Sequence, residues 1–328
     1  MTTTLKRIMA ALCLSAGLLP AWAGAADAFP QKGKVIRIIT PLSAGGSSDI
    51  QARAIANRLS QSLGTPVIVE NKPGASTAIA VRELIRAPAD GYTLLYTITV
   101  TTSQLPHLYA TPPFDVFKDM TPLGVVSRTR TILVATPNAP YNTLKELVAY
   151  AKANPGKVNY GSYGIGSSGH INGELLKANA GIDIVHVPYK GSTEAVRDLL
   201  GGQIQLVFDG PSTAIANSKG GLVKILGVPD TERLPSIPDV PTITEAGVPG
   251  IDLPGLEQFF APAGTPKEIV DKLNAEIMRA ARTPEVTELF VRGGSTMVMS
   301  TPAEHARMMR EDSDKWGAVI RRLGIRME

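Results

Sequence analysis

Residues 157–191 read KVNYGSYGIGSSGHINGELLKANAGIDIVHVPYKG, and the rest of the chain is organised around this stretch. A strand pattern ends at Tyr160, and apolar residues at helical spacing follow from Ile171 onward. A second strand pattern covers 182–187. The loop before the helix holds more Gly and Ser than packing alone requires. Because such a loop can present backbone amides and hydroxyls to one anion, the stretch predicts an anion-binding β-loop-α-β unit.

Three interpretations of this loop compete. The glycines of 164–169 fit the dinucleotide pattern G-x-G-x-x-G, but the next strand, ending at 187–190, lacks the acid that would hold a ribose. A G-x-S-x-G nucleophile elbow is not formed, because a residue other than Gly stands at one end of each candidate. A tight turn capped by Ser167 or Ser168 stays open beside a carboxylate-binding loop, which we favour.

Other predicted strands also end in loops rich in Gly, Ser or Thr. The strand 35–40 precedes such a loop, and the strand 92–98 runs into the hydroxyl-rich segment 97–103. In open α/β sheets, ligands bind at this carboxyl edge of the strands. Thr99 and Thr101 fit ligand contact and ordinary strand material equally well, so both interpretations stay open.

The loop after the first strand carries local signals of its own. Gly45 and Gly46 expose backbone amides next to a predicted helix. Ser47 or Ser48 is predicted to cap that helix. Asp49 falls in its first turn, where a carboxylate suits the positive end of the helix dipole, so we assign Asp49 a structural role.

Further along the chain, Asp209 follows the strand 203–208 and could accept from a ligand donor or cap the next helix. His186 alternates with Val in a strand and is interpreted as structural. The Pro-rich segment 231–262 predicts a long surface excursion. The segment 302–323 predicts a final helix whose apolar stripe belongs to the core.

Composition narrows the function classes. The 328 residues favour two domains over one, and 44% hydrophobic with 19% charged residues is typical of a globular protein. No run of Lys or Arg is interleaved with aromatic residues, which argues against nucleic acid as a partner. The four histidines lack metal-ligand spacing, so neither a metal nor a cofactor is expected.

The N-terminus predicts a signal peptide over residues 1–26. Lys6 and Arg7 precede the apolar run 8–19, and small residues follow, with cleavage expected between Ala23 and Ala26. The single cysteine lies in this leader, so the mature chain is expected to have no disulfide and no thiolate nucleophile. Loss of Lys6 and Arg7 with the leader changes the formal net charge from 33 − 29 = +4 to 31 − 29 = +2.

Motifs spread in order along the whole mature chain carry a family resemblance: P-x-x-x-G-G-x-x-D at 41–49, VENKPGA at 69–75, DGYTLL at 90–95, NYGS through H at 159–170, HVPYKG at 186–191, FD at 208–209 and FAPAGTP at 260–266. With these motifs the sequence resembles the periplasmic solute-binding component of tripartite tricarboxylate transporters, the TctC or Bug family.

The resemblance implies an α/β protein with the periplasmic binding protein type II fold. Two α/β domains, joined by a hinge, would close on a small organic carboxylate in the cleft between them. Domain 1 would cover 27–128 plus 258–328, and domain 2 would cover 129–257. Such receptors hold the carboxylate through backbone amides, hydroxyls and ordered water, with little use of Arg or Lys.

The resemblance also implies the ligand-binding residues. The candidates are Ser43, Ala44, Gly45, Gly46, Ser76, Thr97, Thr99, Thr101, Thr102, Ser162, Gly166, Ser167, Ser168, His170 and Asp209. Two departures from the common family pattern, at Ser76-Thr77 and Leu105, concern the identity of the ligand. Both lie in the predicted domain 1, where the variable end of a ligand would rest.

The resemblance implies a non-catalytic, monomeric periplasmic receptor that hands its ligand to membrane subunits. Amino acids, dicarboxylates, tricarboxylates and aromatic acids are all candidate ligands. A secreted serine hydrolase using the same cleft, for instance through Ser162, His170 and Asp209, is the alternative from another class. A ligand sensor that presents its closed form to a signalling partner is the third.

Overall fold

The computed structural model describes residues 29–74 and 77–327, so the predicted leader and Ser76 lie outside the described residues. The strands are β1 Ile36–Thr40, β2 Val67–Asn71, β3 Thr93–Ile98, β4 Met120–Thr129, β5 Ile132–Ala135, β6 Val158–Ser162, β7 Ile184–Pro188, β8 Leu206–Asp209, β9 Lys224–Gly227, β10 Gly255–Pro262 and β11 Thr296–Met297. The helices are α1 Ser47–Leu63, α2 Ala78–Arg86, α3 Leu105–Leu108, α4 Leu144–Ala153, α5 Ser168–Ala180, α6 Ser192–Leu200, α7 Pro211–Lys219, α8 Lys267–Ala281, α9 Pro284–Arg292 and α10 Pro302–Leu323.

The strands form two mixed sheets. The first has the order β11-β4-β10-β3-β1-β2, with β1 parallel to β2 and β3, and β10 antiparallel to both β3 and β4. The second has the order β7-β6-β8-β5-β9, with β6 parallel to β7 and β8, and β5 antiparallel to β8 and β9. The chain passes between the sheets at 129–132 and again within 227–255.

Helices cover both faces of each sheet, which explains why the inner strands are apolar runs rather than alternating patterns. In the first sheet, β1 packs against α1 and α8 on one side, while α2 covers the other side. In the second sheet, α4 and α5 pack on one face, and α6 and α7 pack on the opposite face. The predicted β-loop-α-β unit is β6-α5-β7, and its two strands are hydrogen-bonded neighbours.

The final helix α10 begins at Pro302 and ends at Leu323, as its periodicity predicted. A capping box between Thr301 and Glu304 sets its start, and Gly324 in the left-handed region ends it. Trp316, one of the predicted stripe residues, is buried in the core cluster of the second sheet, although α10 also packs on β4 of the first. The helix therefore bridges both sheets. The domain limits expected from the family resemblance stay a prediction.

The prediction of a surface excursion over 231–262 is wrong for its last quarter. Residues 255–262 form β10, a fully buried strand in the middle of the first sheet. Its polar residues Glu257 and Gln258 are buried because side chains from distant parts of the chain satisfy them. The Pro-rich composition of this segment therefore predicted a loop where the chain forms a central strand.

A buried ion pair lies where the chain passes between the sheets. Arg130, just after β4, pairs with Asp230 at 2.6 Å, and both side chains are nearly inaccessible. The Arg130 guanidinium also donates to the carbonyl of Gly294 at 3.3 Å. These contacts fix the orientation of the connection between the two sheets.

Glu257 on β10 is the most deeply buried acid near this connection. Ser127 and Ser295 donate to its carboxylate, and Gln51 and Tyr96 contact the same group. Burial raises the pKa of Glu257 to about 7, while the serine donors and the charge of nearby Arg130 partly oppose that shift. The neutral acid therefore fits this environment better than the carboxylate does.

Glu257→Gln should remove a pH-dependent part of the stability. The folded-state pKa of about 7 exceeds the usual 4.5, so protonation favours the folded state below pH 4.5 and this contribution is lost as the pH rises through 7. The difference in the free energy of unfolding, variant minus wild type, should therefore be about 3 kcal/mol larger above pH 7 than below pH 4.5. Urea unfolding at both ends of the range measures it. The exposed Glu268→Gln is the control, and parallel pH profiles for Glu257→Gln and wild type would contradict the assignment.

Candidate functional site

Loops at the carboxyl ends of strands from the two sheets face one another. Ser43, after β1, has its Oγ 3.4 Å from the position that a Cβ on Gly191 would occupy, just before α6. Ser47 Oγ lies 3.5 Å from the equivalent position on Gly210, after β8. The predicted residues of the first loop are thus brought beside loops of the second sheet.

Asp49 holds the loop after β1 in place. Its carboxylate accepts from the Gly45 amide at 2.9 Å and from Asn71 Nδ2 at 2.9 Å, and it pairs with Arg53 at 3.0 Å. Burial would raise the pKa of Asp49, but these donors together lower it. The structural role predicted for Asp49 is confirmed, and the Gly45 amide is engaged within the loop rather than exposed to a ligand.

Helix α1 has no side-chain cap. Its N-cap is Gly46, and the prediction that Ser47 or Ser48 caps it is wrong because the helix already begins at Ser47. Residues 43–45 are exposed, and Gly45 has φ +79°, a left-handed conformation that glycine adopts without strain. An uncapped N-terminus leaves amide donors of the first turn available at the face of the cleft.

The threonines after β3 bond mainly to the protein itself. The Oγ1 atoms of Thr97 and Thr101 lie 2.5 Å apart. Thr99 Oγ1 donates to Asp312 Oδ2 at 3.0 Å and accepts from the Leu256 amide at 2.6 Å. For Thr99 the observed hydrogen bonds therefore agree with a structural role, one of the interpretations left open by the sequence.

Thr102 belongs to a second buried network. Gln258 Nε2 donates to Thr102 Oγ1 at 2.7 Å, and Gln258 Oε1 lies 2.8 Å from His305 Nε2 on α10. Burial lowers the pKa of His305 to about 3, so its imidazole is neutral. The segment Val100–Gln104 is a single π-helical turn, a geometry that recurs at functional sites.

The loop before α5 is tied together by its own polar groups. The Gly166 amide donates to His170 Nδ1 at 3.0 Å, and Ser167 Oγ accepts from the His170 amide at 3.3 Å as the N-cap. The Gly164 amide donates to Ser162 Oγ at 3.2 Å. The capped turn that the sequence left open is present, and the Gly166 amide bonds within the loop. The assignment of Gly166 to ligand binding stays a prediction.

Gly166 lies at the contact between the two halves of the molecule, each half being one sheet with the helices packed on it. Its φ is +74°, and a Cβ at this position would stand 2.1 Å from Leu108 Cδ1 on α3. Leu108 is packed in the core cluster of the second sheet, although α3 follows β3 of the first. Both the backbone conformation and this close approach require glycine.

A serine–histidine pair lies behind the same loop. Ser162 Oγ is 2.7 Å from His186 Nε2, and the His186 ring stacks on His170 at 4.0 Å. Burial, together with the neighbouring His170, lowers the pKa of His186 to about 3. In the described part of the chain no carboxylate hydrogen-bonds to His186, so the pair lacks the third member that orients a catalytic imidazole.

Asp209 is buried at the start of α7. Thr213 Oγ1 and the Gly210 amide donate to its carboxylate, while the N-cap of the helix is Gly210. Burial raises the pKa of Asp209 to about 6, and the two donors partly oppose the shift. The interpretation of Asp209 as the helix cap is wrong, and its carboxylate instead bonds within the first turn.

Ser168 joins the two halves directly. Its Oγ accepts from Gln104 Nε2 at 2.8 Å, and Gln104 comes from the π-helical turn after β3. Tyr163 lies at the same helix end: burial raises its pKa, and hydrogen bonds from Ser168 and the Gly169 amide lower it. Neither Gln104 nor Tyr163 was predicted as a site residue from the sequence. Gln104 directly follows the hydroxyl-rich segment 97–103, and Tyr163 lies in the loop rich in Gly and Ser before α5.

Within residues 29–74 and 77–327 there is no group of three His, Cys, Asp or Glu side chains placed to hold a metal ion. None of the helices in these residues is long and apolar enough to span a membrane.

Comparison with known proteins agrees with this architecture. The family model for the "Tripartite tricarboxylate transporter family receptor", TctC, matches residues 51–325. A UPF0065 protein of Bordetella pertussis is 34% identical over 308 residues, with 94% of each chain covered. Protein BugT of the same organism is 32% identical over 308 residues and covers 92% of this chain and 93% of its own.

Two solved structures from Rhodopseudomonas palustris are also similar. Rpa4515 with adipate has a TM-score of 0.86 at 32% identity and covers 91% of this chain and 99% of its own. MatC with bound malate has a TM-score of 0.82 at 29% identity and covers 89% and 100%. The expected periplasmic binding protein type II fold is confirmed. With the family model, the relatives and the fold in agreement, the chain belongs to the TctC family of tripartite tricarboxylate transporter receptors.

Proposed function

We propose that this chain is an extracytoplasmic receptor that binds a small organic carboxylate between its two halves. The observation that carries the proposal is the meeting of helix N-termini from both sheets, where Ser43 and Ser47 approach Gly191 and Gly210. Amide donors and helix dipoles directed at one point stabilise an anion without a formal cation.

The ligand class follows from the receptors with the same fold. Relatives are described with adipate and with malate, both of which are small dicarboxylates. In this chain the candidate residues at the cleft are neutral except for Asp209, whose raised pKa favours its uncharged form more than usual. A dicarboxylate or a substituted relative is therefore the ligand that we expect.

The cellular setting is part of the same proposal. Residues 1–26 would direct export and be cleaved between Ala23 and Ala26, leaving a monomeric periplasmic receptor. Domain 1 would comprise 27–128 plus 258–328, and domain 2 would comprise 129–257. Closure of the two domains would present the loaded receptor to the membrane subunits of a tripartite transporter.

A serine hydrolase is the second candidate, because Ser162 and His186 are within hydrogen-bonding distance. Three features oppose it. Ser162 is fully buried, the pKa of His186 is too low for a general base at neutral pH, and no carboxylate orients the ring among the described residues. The pair instead joins β6 to β7 and supports the loop before α5.

The mature chain should be stabilised by its ligand. A panel of amino acids, dicarboxylates, tricarboxylates and aromatic acids should contain at least one compound that raises the melting temperature by about 5 °C or more at a hundred times its Kd. Neutral diamides of the same skeletons are the control, because they keep the carbon chain and lack the charge. Failure of every acid to stabilise the protein would contradict a carboxylate receptor.

Gly191→Leu should weaken ligand binding at least a hundredfold. Gly191 has φ −162°, an extended conformation that any residue adopts. The added side chain would contact Ser43 and prevent the two halves from closing. Gly201→Leu is the matched control, because Gly201 ends the same helix at its exposed side with φ −75°. Isothermal titration with the stabilising acid measures the effect, and equal affinities for the two variants would place binding elsewhere.

Ester hydrolysis should be absent, and the wild type and Ser162→Ala should give the same background rate with p-nitrophenyl esters. The reason is that the neutral His186 lacks an orienting acid among the described residues. Turnover that disappears in Ser162→Ala would overturn the non-catalytic assignment.

A further inference from the structure

Gln104 is a fully buried side chain with one unused hydrogen-bonding atom. Its Nε2 donates to Ser168 Oγ at 2.8 Å, across the boundary between the two halves. Its Oε1 is buried and has no hydrogen-bond partner. Buried amide oxygens without a partner are rare in folded proteins, because the lost hydration is not replaced.

The hydrogen bonds around Ser168 define which end of the amide is unpaired. The Gln104 amide group donates to Ser168 Oγ, and Gln104 Oε1 has no partner. The free end of Gln104 is therefore the carbonyl oxygen, which only accepts.

The backbone that carries Gln104 is fastened to distant parts of the chain. The π-helical turn that carries it is fastened at Thr99 to Asp312 and to the Leu256 amide, and at Thr102 to Gln258. These bonds hold the turn to β10 and α10. The unpaired oxygen is thus held in place next to the N-terminus of α5, a 13-residue helix suited to binding a carboxylate.

We propose that Gln104 is a specificity-determining residue that selects carboxylates bearing a hydrogen-bond donor close to the carboxyl group, a hydroxyl or an ammonium, over unsubstituted acids of the same length. The proposal rests on the carboxylate-binding function proposed above. An acid whose carboxylate lies at the positive end of the α5 dipole places a substituent on its neighbouring carbon within reach of the Gln104 side chain. An unsubstituted acid would leave Gln104 Oε1 buried and unpaired, and it would bind more weakly for that reason.

Isothermal titration of the wild type with matched acids tests this selectivity. The probes are succinate, malate and aspartate, then glutarate, 2-hydroxyglutarate and glutamate, then adipate, 2-hydroxyadipate and 2-aminoadipate. In the series that binds, a donor-bearing acid should bind at least about tenfold more tightly than the unsubstituted acid. Comparison of the hydroxy and amino members identifies which donor the site prefers.

Gln104→Met isolates the amide, since methionine keeps the length and apolar character of the side chain. The variant should lose most of the tenfold preference by weakening the donor-bearing acid, while the unsubstituted acid keeps its affinity within about twofold. Gln203→Met is the matched control, because Gln203 is exposed before the start of β8, at the end of that strand remote from the cleft. This control should keep the preference of the wild type.

Several outcomes would overturn the proposal. An unsubstituted acid that binds the wild type as tightly as its donor-bearing partners would do so, and so would a preference that survives in Gln104→Met. A crystal structure of the wild type with the tightest acid decides the matter without any variant: Gln104 Oε1 should lie within hydrogen-bonding distance of the ligand's hydroxyl or ammonium. Binding of none of these acids would instead contradict the dicarboxylate class proposed for the ligand.

Discussion

The hydrogen bonds that fasten the turn after β3 to β10 and α10 are the constraint on which the candidate site depends. Thr99 bonds at once to Asp312 and to the Leu256 amide, and Thr102 bonds to Gln258. These partners lie more than 150 residues away in the chain. One wall of the cleft therefore forms only when β10 enters the first sheet and the final helix packs across it.

Neutrality is the second feature of this interior. Burial lowers the pKa of His305 and His186 to about 3, and it raises the pKa of Glu257 to about 7 and of Asp209 to about 6. In each case the uncharged form is favoured, because a low-dielectric environment penalises charge. Apart from Asp209 the candidate residues of the cleft are neutral, which leaves helix dipoles and amide donors as the main attraction for an anion.

The loops use many of their own donors to hold their shape. The amides of Gly45 and Gly166 bond to Asp49 and His170, and the Ser167 hydroxyl caps α5. Such internal bonds give rigid loops, so that fewer groups face the ligand but each is held in a fixed position. This arrangement favours recognition by a small set of donors and acceptors, with the Gln104–Ser168 contact between the two halves among them.

The α/β class, the β6-α5-β7 unit, the limits of α10 and the role of Asp49 could be predicted from the sequence alone, because periodicity, capping and helix-dipole effects act within a few residues. Only the tertiary structure decided that 255–262 is a central strand, that the threonine hydroxyls mostly face inward, and that Gln104 reaches Ser168. The physical reason is that a buried polar side chain depends on its partner, and these partners come from segments far apart in the chain that meet only when both sheets and α10 are assembled.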